Sequence, residues 1–181
     1  MEKFVLSVQE YLFQLVRDIR DIIGGKMNHI KSTSLIRLWG LLNVPMIFYC
    51  RPSIVNINDQ VVTLKIPLKW RTKNHVGSLY LGAFAVGADL SAGLLAMRFI
   101  RKQNEKIVPI FKDFKADFLK LAKGDVHFTC TQGDEVRELV NTAVQTGERQ
   151  NLHLNIIATV PSIDDEPVAE MVITLSIKVK E

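Results

Sequence analysis

Asp89 is the one charged side chain in the nineteen residues from Leu79 to Met97, where its neighbours are apolar or small. At 3.6 residues per turn, Gly82, Ala85, Val86, Asp89, Ala92, Gly93 and Ala96 fall on a single stripe. A carboxylate on a face of very small side chains can be approached closely, by a ligand or by a partner helix. It can serve as a general base or as a nucleophile. The start of the same helix offers a second resource, because its first N–H groups lack intrahelical acceptors and carry the positive end of the helix dipole. The backbone N–H of Leu81 or Gly82 could therefore hold a developing oxyanion. Asn74, in the preceding loop, could orient a water or a reacting group, with His75 and Tyr80 beside it.

Each of these residues also has a plainer role open to it. Asp89 could be a buried carboxylate in a structural ion pair. Asn74 could cap the turn before the helix, and His75 could be a loop side chain with nothing to fix its tautomer. Gly82 and Gly93 could serve close packing alone, and Tyr80 and Phe84 could be core residues.

The elements that must position them follow from periodicity. Leu81, Phe84, Leu90, Leu94 and Leu95 spread over the rest of the helix circumference, so the helix is apolar all round and is predicted to be buried. Its length also suits a membrane span, but an aspartate at mid-span costs about 2.5–3.5 kcal/mol and the flanking segments read as strands. The expectation is a core helix and no transmembrane segment.

Ahead of it, residues 1–23 form an amphipathic helix, with Phe4, Val8, Tyr11, Leu12, Leu15, Val16, Ile19, Ile22 and Ile23 at helical spacing and Gly24-Gly25 ending it. Its charged residues break any long apolar run, so it is not a signal peptide, and their mixed sign favours packing on the domain. A short helix is expected over Ser34 to Leu42, and a short apolar run, Met46 to Cys50, opens a strand-rich region. Strands are expected over Ile54–Ile57, Gln60–Leu68, Ile107–Leu121, Val126–Cys130, Asn151–Val160 and Val168–Lys180, with a helix from Asp134 to Thr146. Strands and helices do not alternate as a doubly wound sheet requires. One antiparallel sheet wrapped around the central helix, an α+β architecture, satisfies the order. The division expected is an N-terminal helical extension, 1–45, packed on one domain, 46–181.

Composition narrows the class. The chain has 181 residues, 48% hydrophobic and 23% charged, with a net charge of +4, ordinary for one folded domain. Lys and Arg form no basic run, so a nucleic-acid partner is not expected; the small positive balance would suit an anionic small molecule. Cys50 and Cys130 stand alone and the four histidines lack ligand spacing, so neither a disulfide framework nor a metal site is expected, and the thiols suit a reducing cytoplasmic setting.

The run Asn74-x-x-Gly77-Ser78-Leu79-Tyr80-x-Gly82, followed by Asp89 within the helix, resembles the active-site segment of hotdog-fold acyl-CoA thioesterases. Those enzymes show an Asn, a Gly-Thr-Leu-His-Gly-Gly-like turn and an acidic residue two turns into the helix. The likeness extends over roughly residues 46–180 and is greatest to a poorly characterised thioesterase subgroup. Tyr80 stands where that family often has His, Leu81 where it often has Gly, and the helix from Asp134 to Thr146 is extra relative to its simplest members. The resemblance implies hydrolysis of an acyl thioester, with Asp89 and Asn74 catalytic and with Leu81, Gly82, Tyr80 and His75 at the oxyanion and substrate site. It implies no cofactor beyond coenzyme A as part of the substrate. It also implies a homodimer, or a dimer of dimers, with the site completed beside the central helix. Two alternatives stay open: a dehydratase or hydratase of the same fold using His75 with Asp89, and a non-catalytic acyl-binding module.

Overall fold

The structure, a computed structural model, describes residues 29–180; the amphipathic helix read over residues 1–23 lies outside the described residues. Six strands form one antiparallel sheet in the order β1-β2-β4-β5-β6-β3. They are β1 (Ser53–Ile57), β2 (Val62–Ile66), β3 (Ile107–Phe118), β4 (Val126–Cys130), β5 (Gln150–Val160) and β6 (Asp164–Val179). Helices α1 (His29–Asn43) and α2 (Pro45–Cys50) precede the sheet, α3 (Leu81–Ile100) is the long central helix, and α4 (Gly133–Thr146) is inserted between β4 and β5.

Period-two burial explains the sheet. Val62, Leu64 and Ile66 of β2 and Val126, Phe128 and Cys130 of β4 are all buried, and Leu64 stands opposite Phe128 in the ladder. From β6, Met171, Ile173, Leu175 and Ile177 turn to the same side and close over α3. The curved sheet thus buries one apolar face against one helix. Phe84 of α3 anchors the contact, its ring edge-on to Phe128 at 5.8 Å and to Phe118 at 5.1 Å. Gly87 lies where a Cβ would meet the Phe128 ring at 2.5 Å, so the helix and β4 approach closely only because this side chain is absent. At the other end Arg98, 6% exposed, ties α3 to the β1–β2 turn. Its Nε donates to Asp59 Oδ1 at 2.8 Å, and Lys102 Nζ reaches Asp59 Oδ2 at 2.9 Å. Hydrogen bonds from Lys102 and Arg98 hold the Asp59 carboxyl below its ordinary range.

Two local expectations change. Met46 to Cys50 lies in α2 and not in a strand. Pro45, whose missing N–H costs nothing in the first turn, starts that helix, and Ile47 and Cys50 turn inward at helical spacing; a short apolar run does not separate the two structures by itself. The central helix, expected to be covered all round, is covered on most of its circumference. Ala92 and Ala96 of the small stripe are buried, whereas Gly82, Ala85, Val86, Asp89 and Gly93 are half-buried. Among the described residues α3 has the length and mean hydropathy of a membrane span, 1.5, but 67% of its apolar window is buried inside the protein. It is a core helix with one uncovered strip.

Candidate active site

The loop from Pro67 to Tyr80 delivers the chain to the start of α3 through a dense set of hydrogen bonds. Thr72 Oγ1 donates to Pro67 O at 2.6 Å and accepts from Lys69 N at 2.9 Å, while Tyr80 N donates to Thr72 O at 2.7 Å. Asn74 Oδ1 accepts from Val76 N at 3.1 Å and from Ser78 N at 3.0 Å, closing a turn that Gly77 completes at φ +75°. The buried Ser78 hydroxyl accepts from Ala122 N at 2.9 Å, and Leu79 N donates to Ala122 O at 3.1 Å, which docks the loop on the segment after β3.

Tyr80 is the residue before the first turn of α3, with extended backbone and no side-chain cap, and that turn holds no acidic residue. The N–H groups of Leu81 and Gly82 have no acceptor among the described residues. Tyr80 and Leu81 are 53% and 59% exposed, and a Cβ on Gly82 would meet the Tyr80 ring at 2.7 Å. The ring lies over the glycine, so the amino end of α3 is a small open platform roofed by one aromatic side. His75 is exposed in the same loop.

Asp89 sits two turns further on, half-buried at the rim of a cavity of about 370 Å³. The wall comes from four quarters: Ile36 and Trp39 of α1, Val44 and Ile47 around the start of α2, Gly93 and Met97 of α3, and Phe111 and Leu175 of the sheet. The lining is apolar apart from Asp89 and Arg101. Asp89 has no hydrogen bond or ion pair among the described residues, and burial pushes its carboxyl above the ordinary value of 3.8. An ionised carboxylate held in apolar surroundings without a partner is costly, and a proton acceptor with a raised pKa is better matched to neutral pH.

The structure therefore separates the expected residues into two groups. Asp89 opens on the cavity; Asn74, His75, Tyr80, Leu81 and Gly82 gather at the helix start and do not line it. Leu81 and Asp89 are eight residues apart, which is about 12 Å along the helix axis. Gly82 and Asp89 nonetheless lie on the same uncovered strip. The part that α1 and α2 take in the cavity wall is not expected from the sequence, which gives the first as part of an extension packed on the domain and the second as a short apolar run opening the strand-rich region. The spacing Ile36, Trp39 and Gly40, with Gly40 giving Ile47 room at 2.9 Å, was the available signal that these two helices pack on the core. Cys50 and Cys130 are buried free thiols, and burial pushes Cys130 up to about 11, which leaves it inert as a nucleophile. No cluster of three potential metal ligands occurs among the described residues.

Solved structures share this architecture. A Pseudomonas aeruginosa protein of unknown function, described as a probable thioesterase, superposes with a TM-score of 0.69 at 24% identity, covering 82% of this chain and 96% of its own. The zebrafish thioesterase superfamily member 2 gives 0.59 at 13% identity, covering 83% of this chain and 98% of its own. A Haemophilus influenzae thioesterase gives 0.53 at 16% identity, covering 78% and 88%. At these identities the likeness establishes the fold alone, the hotdog fold. No functionally curated protein matches the chain. The family model for a domain of unknown function, DUF4442, matches residues 34–177, so that α3, the Asp89 cavity and the sheet up to Ile177 of β6 fall within it and the chain belongs to the DUF4442 family.

Proposed function

We propose that this protein hydrolyses an acyl thioester, of coenzyme A or a similar carrier, to a free acid and a thiol, with Asp89 as the base. The observation that carries the reading is a carboxylate with no ion pair among the described residues, lining a largely apolar cavity. A structural aspartate would have a partner; one that serves chemistry needs an open side. The cavity volume lies at the low end of small-ligand sites, about 300–1,000 Å³, which suits the acyl group alone and leaves the carrier outside.

In this reading the acyl chain enters the cavity and its carbonyl carbon stands beside Asp89. Asp89 takes a proton from a water as that water attacks and the carbonyl oxygen becomes an oxyanion; the oxyanion then collapses to the acid as the carbon–sulfur bond breaks, and the leaving thiolate takes the proton held by Asp89. The uncapped N–H groups of Leu81 and Gly82 are suited to the oxyanion. The 12 Å spacing along one helix bars them from serving the same carbonyl as their own Asp89. A second copy removes the difficulty. Two α3 helices running antiparallel along their uncovered strips, crossing near Ala85 and Val86, would set the Gly82 end of one against Asp89 of the other. The small side chains at the crossing permit that approach. The active unit is therefore a homodimer with two composite sites, and Asn74 serves by shaping the loop that presents the helix start. The names of the superposable thioesterases support the reading.

Free-thiol release measured across a panel of acyl-CoA substrates tests it. Asp89→Asn should lower kcat at least about a hundredfold, the scale of lost general-base assistance, with the circular dichroism spectrum unchanged. His75→Ala should cost far less, because this reading gives that side chain no chemical step. Equal losses in both variants would favour a dehydratase-like pairing, and a wild type that turns over no thioester while retaining fatty acyl ligands would favour a binding module.

A further inference from the structure

The two helices that wall the cavity have a second face. Between Leu41 and Met46 every residue is exposed, and Leu41, Leu42 and Met46 are 47%, 51% and 52% exposed, with Tyr49 one turn further along α2. Trp70 is the most exposed large apolar side chain among the described residues, at 73%. Arg71 joins it to the same surface: its guanidinium lies 5.4 Å from the Tyr49 ring centre and 5.7 Å from that of Trp70, and Nη1 donates to Tyr49 O at 3.5 Å. Meanwhile Ile47 and Cys50 of α2 point inward and are 2% exposed. Helix α2 is thus sided, with one face on the core and the other presented to solvent. A patch of this kind on a folded protein marks a docking surface.

Charge identifies the occupant. From residue 22 to residue 88 the chain carries eight basic residues and a single acid, Asp59, against fifteen basic and eighteen acidic in the remainder. Asp59 is occupied by Arg98 and Lys102, so it neutralises nothing at the patch. Arg51, Lys69, Arg71 and Lys73 are the cations nearest in sequence; Arg51, Lys69 and Lys73 are exposed and Arg71 is half-buried. Leu and Met beside Trp and Tyr, with Lys and Arg and no acid, is the composition that seats in the headgroup layer of a bilayer. We infer that this face docks on an anionic lipid surface, with Leu41, Leu42, Met46 and Trp70 inserted at the acyl boundary and Arg51, Arg71 and Lys73 against phosphate groups. Docking would set the α1–α2 wall of the cavity, Val44 included, against the bilayer, so that acyl substrates partitioned there reach Asp89 without crossing water. That last consequence rests on the hydrolase reading; the docking does not.

Flotation of the full-length protein with vesicles, in the absence of any substrate, tests the docking alone. Phosphatidylcholine vesicles containing about a third phosphatidylglycerol should carry the wild type up the gradient, and pure phosphatidylcholine should do so less. Leu42→Ser with Met46→Ser should weaken binding by about tenfold or more, since two inserted apolar side chains are lost. Arg71→Gln should weaken it about fivefold on anionic vesicles only, as expected for one basic residue at such a surface, and added salt should mimic that loss. All three positions are at least partly exposed, and circular dichroism would verify that the variants fold. Wild type left at the bottom of both gradients would overturn the inference, as would undiminished flotation of the double variant, which would place the contact elsewhere in the chain. A change of oligomeric state in the double variant would assign the patch to protein association and overturn it equally.

Discussion

Asp89 has a largely apolar cavity on one side, an uncovered helix strip on the other and no ion pair among the described residues. Burial raises its pKa, so its ionised form is the destabilised one in the folded protein. The sign follows from linkage: below the ordinary aspartate value of 3.8 the carboxyl is neutral in both folded and unfolded chains, and the penalty grows as pH rises through the raised folded value. Asp89→Asn should therefore raise Tm at neutral pH, with the gain vanishing as the pH falls below 3.8; equal Tm values for wild type and variant at pH 7 would contradict this. The same ionisation should govern catalysis. The acid limb of the wild-type kcat profile should lie above 3.8, and the residual rate of Asp89→Asn should lack it. A residue that stabilises the protein when it is removed, and abolishes turnover, is retained for chemistry and not for folding.

Helix α3 carries both its packing and its chemistry on glycines that are not equivalent. Gly87 faces Phe128, where an added Cβ would sit 2.5 Å from the ring, whereas Gly93 faces the cavity, with Phe111 at an ordinary 3.9 Å. Helix propensity favours alanine over glycine by about 1 kcal/mol at either position. At Gly93 nothing opposes it, so Gly93→Ala should stabilise the protein by roughly 0.5–1 kcal/mol while taking a methyl group's volume from the cavity, and activity should shift toward shorter acyl chains. At Gly87 the overlap must be relieved by moving a fully buried phenylalanine, and overpacking of that kind costs about 1–3 kcal/mol. Gly87→Ala should therefore destabilise in chemical denaturation. Opposite signs for the two variants are the expected result; like signs would mean that the close approach of α3 to β4 is not what sets the helix position.

At the scale of the molecule the sheet ends, among the described residues, in two unpaired edges, β1 and β3. Strand β3 is twelve residues long, carries Pro109 as edge strands tolerate, and pairs with β6 on one side only. Its Phe114 and Phe118, opposite Ile173 and Ala169 in the ladder, remain 39% and 47% exposed, and Phe118 packs edge-on against Phe84 of α3. A long unprotected edge beside an open apolar strip calls for a partner. The homodimer proposed on catalytic grounds would cover both at once by continuing the sheet from β3 to β3. Sedimentation at micromolar concentration should give a dimer, and Phe114→Asp should shift it toward monomer and lower turnover together, since each site would lose the second copy's helix start. A monomeric wild type with full activity would require the oxyanion donors to come from elsewhere in the chain.

What the sequence determined by itself is whatever local periodicity encodes. Alternation at Val126 to Cys130 and from Met171 to Val179, the apolar run around Asp89, and Gly147 ending α4 at φ +71° suffice for the sheet, the core helix and their order, because a two-residue or 3.6-residue period has one packed solution. The isolation of Asp89 was equally legible, since a single charge among nineteen apolar or small residues needs no contact to be noticed. Only the tertiary structure decided which side of α3 stays uncovered, that α1 and α2 wall the cavity, and that Asn74 spends its carbonyl on its own turn. The first two are relations between segments distant in sequence, and a periodicity that says a face is apolar does not say what that face will touch.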